Sequence, residues 1–229
     1  MKASSIFKVT RQAGVVAALL ISVAMLLYPG GTFRNPSTSG YSFFQNSLSD
    51  LGSTIAWGGR PNRTGALFFA TGCAIAALAG IGGFVTFGRV YAVSRSTRYS
   101  ARAAGAAGVL SCVSLIGTAL IPQDRFPALH GQLTLLAALA CPVASLLLAW
   151  TSLHDTRFPR RAAGGWLVLA LVLIAWVSIM QWGPAPTTDE WLTIPVTMQK
   201  IVAVAIVVVF FYEMHEVDRV VTGVRESAV

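Results

Sequence analysis

Residues 64–87 read TGALFFATGCAIAALAGIGGFVTF, with Arg63 before them, Arg89 just after, and no charged side chain between. A helix that crosses the ~30 Å hydrocarbon core of a bilayer needs about 20 consecutive apolar residues. This stretch meets that length with charges placed only at its ends, so it predicts a spanning helix. Five more segments of the same kind lie at 13–28, 103–121, 128–152, 162–182 and about 195–212, each bounded by charged or strongly polar residues. The last contains one charge, Lys200, about one turn after Pro195, where its stem can snorkel to the interface. The fold class expected is all-α: a polytopic membrane protein, a six-transmembrane-helix bundle forming one integral membrane domain over 1–229, with a structured first external loop at 29–63.

Composition agrees with that reading. Hydrophobic residues make up 55% of the chain and charged residues 11%. A soluble domain carries about 25% charged residues, and a disordered chain needs low hydrophobicity with many charges; both classes are excluded. The net charge of +8 does not point to nucleic acid. A nucleic-acid binder gathers its basic residues on a solvated face, whereas here they sit in short runs between apolar stretches, the pattern by which a membrane protein sets its orientation. The first segment follows a basic stretch (Lys2, Lys8, Arg11) and is followed by Tyr28-Pro29-Gly30-Gly31, not by a small-x-small cleavage pattern, so a retained helix is expected.

With the N-terminus inside, the inner segments collect Lys2, Lys8, Arg11, Arg89, Arg95, Arg98, Arg102, Arg157, Arg160, Arg161, Arg219 and Arg225. The outer side receives Arg34, Arg60, Arg63, Arg125 and Lys200. Cytoplasmic loops hold the Lys/Arg excess, so both termini are expected to be cytoplasmic, in a cell membrane. Trp57, Trp182 and Trp191 then fall near one interface, and Trp150, Trp166 and Tyr212 near the other, as an aromatic belt would. The abundance of Arg over Lys, together with many alanines, points to a GC-rich bacterial source.

Small residues recur at four-residue spacing in two segments: Gly72, Ala76 and Gly80, then Ala104, Gly108 and Cys112. Such stripes let helix backbones approach closely in lipid. Cys73, Cys112 and Cys141 all fall inside spans with no CxxC spacing, so they read as packing residues, not as a disulfide framework or zinc site.

The one long connection reads GTFRNPSTSGYSFFQNSLSDLGSTIAWGGRPNRT from Gly31 to Thr64. Phe44, Leu48 and Leu51 stand at i, i+4 and i+7, which predicts a short amphipathic helix ended by Gly52, with Asn46 and Asp50 on its polar side. The stretch Phe43-Phe44-Gln45-Asn46-Ser47-Leu48-Ser49-Asp50-Leu51-Gly52 resembles the Ser-Asp-Leu-Gly signature of a bacterial and archaeal membrane family known as domain of unknown function 998. Ile121-Pro122, followed by Asp124 and His130, is similar to that family's Pro-then-His turn at the start of the fourth helix. The resemblance covers roughly residues 10–215. It implies six helices with a long first external loop, a layout distantly similar to the Frag1/DRAM group, and it implies no established activity.

On this topology Asn46, Ser47, Ser49, Asp50, Asp124, His130, Gln181, Asp189, Glu190 and Lys200 all lie on the outer side. Ionisable groups at membrane depth are expensive and tend to be paired or functional. Three readings stand side by side. Asp50 caps backbone amides and pairs with Arg125 or Lys200 while His130 tethers the loop. Or the cluster binds a lipid headgroup or small molecule through Asn46, Asp50, Asp124, His130 and Lys200, in an accessory protein, receptor or small-molecule transporter. Or Ser49, Asp50 and His130 hydrolyse a lipid ester or amide, by an activated serine or by a metal held on Asp50, Asp124 and His130. The G-x-S-x-G and H-E-x-x-H motifs are missing, only three histidines exist, and no cofactor is expected. Transport draws little support from spans whose centres read as almost free of charge.

Overall fold

A computed structural model describes residues 3–92 and 94–226; Lys2, counted above among the inner charges, lies outside them. The chain forms six α-helices: α1 (Ala3–Leu27), α2 (Arg63–Val90), α3 (Arg95–Leu120), α4 (Pro127–Leu153), α5 (Arg160–Trp182) and α6 (Asp189–Glu226). Each is long and apolar enough to cross a membrane, so the protein is an all-α, multi-pass membrane protein. Lipid offers no hydrogen bonds to a backbone, and a helix is the local solution that satisfies every N–H and C=O within one segment.

Side-chain hydroxyls inside the helices follow the same rule. Ser22, Thr86, Thr118, Ser145 and Thr151 each donate to the carbonyl four residues earlier. Ser111 instead crosses from α3 to donate to the Ala137 carbonyl of α4 at 2.9 Å. The start of α3 is closed by a capping box: Ser94 Oγ accepts from the Thr97 amide, and Thr97 Oγ1 accepts from the Ser94 amide. Pro127 opens α4 at a position where its missing N–H costs nothing.

Each helix packs chiefly on its chain neighbours, and α6 returns to α1, so the bundle closes in sequence order. The main core is aromatic: Phe87 stands edge-on to Trp166 and Phe210 at 5.2 and 5.3 Å, and Phe84 edge-on to Phe210 at 5.2 Å. The small residues on α2 serve two partners. Gly72 lies against the Ala17 carbonyl and Leu20 of α1, whereas Gly80 lies against Cys112 of α3, and Gly108 leaves the space that the Phe84 ring fills. All three cysteines are buried and unpaired.

The sixth helix extends to both sides of the expected span and runs unbroken from Asp189 through Pro195 to Glu226. Past Tyr212 it carries two buried acids. Glu213 is fully buried beside Gly165, and Glu216 bonds to Arg161 at 3.1 Å with Arg219 at 3.8 Å. Trp166 is no interfacial ring; it is fully buried in the core.

A second, smaller core forms where the long loop meets the bundle. Leu51, with no exposed surface, packs with Ala24, Tyr28, Ala56, Phe69, Cys73 and Ala119. Leu51→Ala is therefore expected to lower stability by about 2–5 kcal/mol, read as a lower unfolding midpoint in detergent. An unchanged midpoint would show that the loop adds nothing to the fold.

Candidate functional site

The connection between α1 and α2 is built from turns, bridges and one short 3₁₀ turn, Ser49–Gly52. It leaves α1 through Gly30 and Gly31, both with positive φ. A side chain at Gly31 would collide with the backbone of Trp57 and Gly58, so the two ends of the loop can approach only because that position is glycine. Gly31 and Thr38, and Gly58 and Gly30, are joined by backbone hydrogen bonds of 2.8 and 3.0 Å. The amphipathic helix expected at 44–51 is not formed. Phe44 is exposed while Leu51 is buried, so these residues do not share a face. Residues 42–46 form a turn of their own, in which Asn46 Oδ1 accepts from the Ser42 amide at 2.9 Å.

Asn46 and Asp50 are both buried and meet each other: Asn46 Nδ2 donates to Asp50 Oδ2 at 3.0 Å and to the Gly31 carbonyl at 2.9 Å. Asp50 Oδ2 also accepts from the Ser47 amide at 2.9 Å, and Asp50 Oδ1 from Gln123 Nε2 at 2.7 Å. The expected pairing of Asp50 with Arg125 or Lys200 is thus replaced, while its expected capping of backbone amides is seen at Ser47. Among the described residues its direct partners are neutral donors from the loop and from the turn between α3 and α4. Lys200 reaches the same place from α6: buried, it donates to the Asn46 carbonyl at 2.7 Å and the Val196 carbonyl at 3.3 Å. Its ammonium lies 5.6 Å from the centre of the Tyr41 ring and 5.1 Å from that of Phe43, a cation–π cage. Gln199, its neighbour on α6, accepts from the Leu48 amide at 2.8 Å.

His130 stands at the start of α4 and is buried. Its Nδ1 lies 2.7 Å from the Ile121 carbonyl and its Nε2 3.1 Å from Ser49 Oγ. A carbonyl oxygen can only accept, so Nδ1 carries the proton; in the neutral ring Nε2 then accepts from the Ser49 hydroxyl. Asp124 sits apart from this pair. It accepts from the Thr54 amide and hydroxyl at 3.0 and 2.6 Å and from the Ile55 amide at 3.1 Å, and Arg125 donates to the same Thr54 hydroxyl. Asp50, Asp124 and His130 therefore do not converge on one point. Among the described residues, no group of three or more His, Cys, Asp or Glu side chains is arranged to hold a metal ion.

The partners that the sequence reading did not name are mostly neutral. Gln123 is a one-sided example: its position next to Asp124 was the only signal, and an amide carries no charge to draw attention. Asn62 is buried and donates to the Leu51 and Ser53 carbonyls at 3.0 Å each. Tyr28 receives the Trp57 amide on its hydroxyl at 3.2 Å. Burial pushes the Tyr28 hydroxyl up to about 12, against the pull of that amide and with help from the Asp50 charge, so it stays protonated. Arg34 pairs with Asp189 at the start of α6 at 3.1 Å, on the solvated edge.

Compared with known proteins, the chain matches no family model, no curated protein and no solved structure. The geometry itself therefore carries the functional reading.

Asp124 supplies a test of how the loop is held. Partial desolvation raises its carboxyl, but the three hydrogen bonds from Thr54 and Ile55 outweigh it and hold the group below its ordinary 3.8. A depressed carboxyl stabilises the folded loop above the ordinary value, and that contribution is lost as pH falls through the lowered one. Hydrogen-exchange protection of the Thr54 and Ile55 amides is expected to hold from neutral pH down to the ordinary carboxylate value and to drop below it. Asp124→Asn is expected to show reduced protection throughout. Protection that persists unchanged to about pH 2 would exclude the carboxylate as the clamp.

Proposed function

We propose that this protein is a binding or accessory protein of the membrane, whose polar cluster locks the α1–α2 loop into a rigid platform at the outer leaflet. The observation that carries this reading is where the polar atoms point. Asn46, Asp50, Asp124, His130 and Lys200 spend their hydrogen bonds on the loop and its supports, while the loop's aromatic rings are left outside. Phe33 and Trp57 form one edge-on pair at 5.3 Å, Phe43 and Phe44 another at 5.2 Å, and all four rings are exposed. Aromatic rings at headgroup level suit an amphiphilic contact such as a lipid headgroup or a small amphiphile. The five polar residues then act as the site's frame, and Lys200 through Phe43 joins frame to surface.

Membership of the six-helix family known as domain of unknown function 998 is part of this reading. Its support is the Ser49-Asp50-Leu51-Gly52 turn and the Pro122-to-His130 spacing on a six-helix layout. The charge distribution supports cytoplasmic termini and an external loop, and the Arg-rich, Ala-rich composition supports a bacterial source.

A second reading has one specific observation in its favour. The hydrogen bond from His130 Nδ1 to the Ile121 carbonyl sets the tautomer in which Nε2 can take a proton from Ser49. That is the arrangement an activated serine needs, with a backbone carbonyl in the orienting role of a third side chain. A membrane-embedded lipid hydrolase would use it.

Three measurements test these readings. A cysteine at Ser39 is expected to react with an impermeant thiol reagent added outside intact cells, and one at Ser96 is not; reversed labelling would overturn the orientation. A serine-directed fluorophosphonate is expected to leave Ser49 unlabelled, while a spin label at Phe44 in proteoliposomes reports contact with lipid. Labelling of Ser49 that disappears in His130→Ala would replace the binding reading with the hydrolase. A spin label wholly in bulk water would remove the platform.

A further inference from the structure

At the end of the bundle opposite the loop, α2 and α3 enclose a groove that the polar cluster does not explain. Gly88 and Gly105 bring the two helices together there: a side chain at Gly88 would meet the Ala101 carbonyl at 3.1 Å, and one at Gly105 the Phe84 carbonyl at 3.2 Å. With backbones this close and no side chains on them, the seam is sunk below the flanking residues. The result is a lateral groove of about 820 Å³, floored by Phe84, Gly88 and Gly105. Pockets that hold small molecules span ~300–1,000 Å³.

The walls are apolar and the mouth is cationic. Val85, Ala106, Val109, Leu110 and Val113 line the length, and Arg89 and Arg102 stand at the end nearest the α2–α3 connection. From Arg102 to Val113 the groove follows α3 for about 16 Å, the reach of a long acyl chain. Both arginines are exposed, and among the described residues neither pairs with a carboxylate. The lining contains no acid. Ala106, Leu110 and Val113 of this lining are exposed on a helix long and apolar enough to span a membrane.

We propose that this groove is a binding site for one anionic phospholipid of the adjacent leaflet, its phosphate held by Arg89 and Arg102 and one acyl chain laid along Ala106, Val109, Leu110 and Val113. Guanidinium groups match phosphate oxygens in pairs of parallel hydrogen bonds, and basic pockets between spanning helices are suited to acidic headgroups. Arg95 and Arg98 stand on the first turn of the same helix but do not line the groove. That difference separates a built site from a generally basic surface.

The test uses the full-length protein, stripped of lipid in a neutral detergent and titrated with dioleoylphosphatidylglycerol or dioleoylphosphatidylcholine under native mass spectrometry. The variants are Arg89→Gln/Arg102→Gln, Arg95→Gln/Arg98→Gln and Ala106→Trp. All five side chains are exposed, so the core is untouched, and an unchanged unfolding midpoint without lipid checks that. The anionic lipid is expected to bind about ten-fold tighter than the zwitterionic one, and the Arg89/Arg102 variant to lose that margin. Ala106→Trp, which fills the chain seat, is expected to weaken both lipids, and the Arg95/Arg98 variant to behave as wild type. Equal affinity for the two lipids would overturn the proposal, as would equal losses in both arginine variants. Displacement of the lipid by inorganic phosphate, with no effect of Ala106→Trp, would also overturn it, because the site would then be one for a free anion.

Discussion

The ammonium of Lys200 is the interaction on which the loop-bearing end depends. A charge carried on a mostly apolar helix must find partners or reach water. Lys200 is buried and finds two carbonyls and two aromatic faces, and one of those carbonyls belongs to Asn46. That bond, together with Gln199 accepting from the Leu48 amide, fixes the loop's central turn against α6. Once Asn46 is fixed, its amide reaches Asp50 and the Gly31 carbonyl, Asp50 reaches Gln123, and the 3₁₀ turn brings Ser49 to His130. Each step follows from the need to satisfy a polar group that burial has removed from water. The loop is irregular in backbone but tied at α3–α4, at α4 and at α6, three directions that a free surface loop would lack.

The same argument explains why an acid and a base so close in the fold do not form a direct ion pair. Asp50 already accepts from Asn46, the Ser47 amide and Gln123, so its oxygens are occupied by short, well-directed donors. Lys200 is occupied by carbonyls in the same way. The two charges are joined through Asn46, whose carbonyl accepts from the lysine and whose amide donates to the aspartate. A neutral residue between two buried charges lets both be solvated by the protein. The lysine's acceptor is the backbone carbonyl of residue 46, so only the bond to Asp50 depends on the asparagine side chain.

How much of this was legible in the sequence follows from the same physics. Long apolar runs between charges have one solution in lipid, so all six helices and their order could be read directly. Their ends were less legible where charges occur inside a helix: Glu213 and Glu216 look like the end of a span, yet Gly165 makes room for one and Arg161 pairs with the other. In the loop, the i, i+4, i+7 spacing of Phe44, Leu48 and Leu51 was real but misleading. Asn46 draws its side chain back to the Ser42 amide, which closes a turn where a helix would have continued. Charged residues were found because charge is rare here. Gln123, Gln199 and Asn62 were not weighed as partners, since an amide's value lies entirely in what faces it.

Both ends of the molecule bury charge, but they differ in what they leave outside. At the loop-bearing end Asp50 and Lys200 are sealed within the protein and aromatic rings are shown outward, and in the far half of α6 Glu213 and Glu216 are buried too. At the opposite end, arginines stand unsealed at the mouth of an apolar groove formed by two glycines. A sealed polar cluster builds rigidity and offers little to a charged ligand, whereas an exposed guanidinium pair beside an acyl-length groove has its hydrogen-bonding capacity still to use. At Arg89 and Arg102, part of the +8 net charge stands unpaired at the mouth of an apolar groove, where its hydrogen-bonding capacity is open to a ligand.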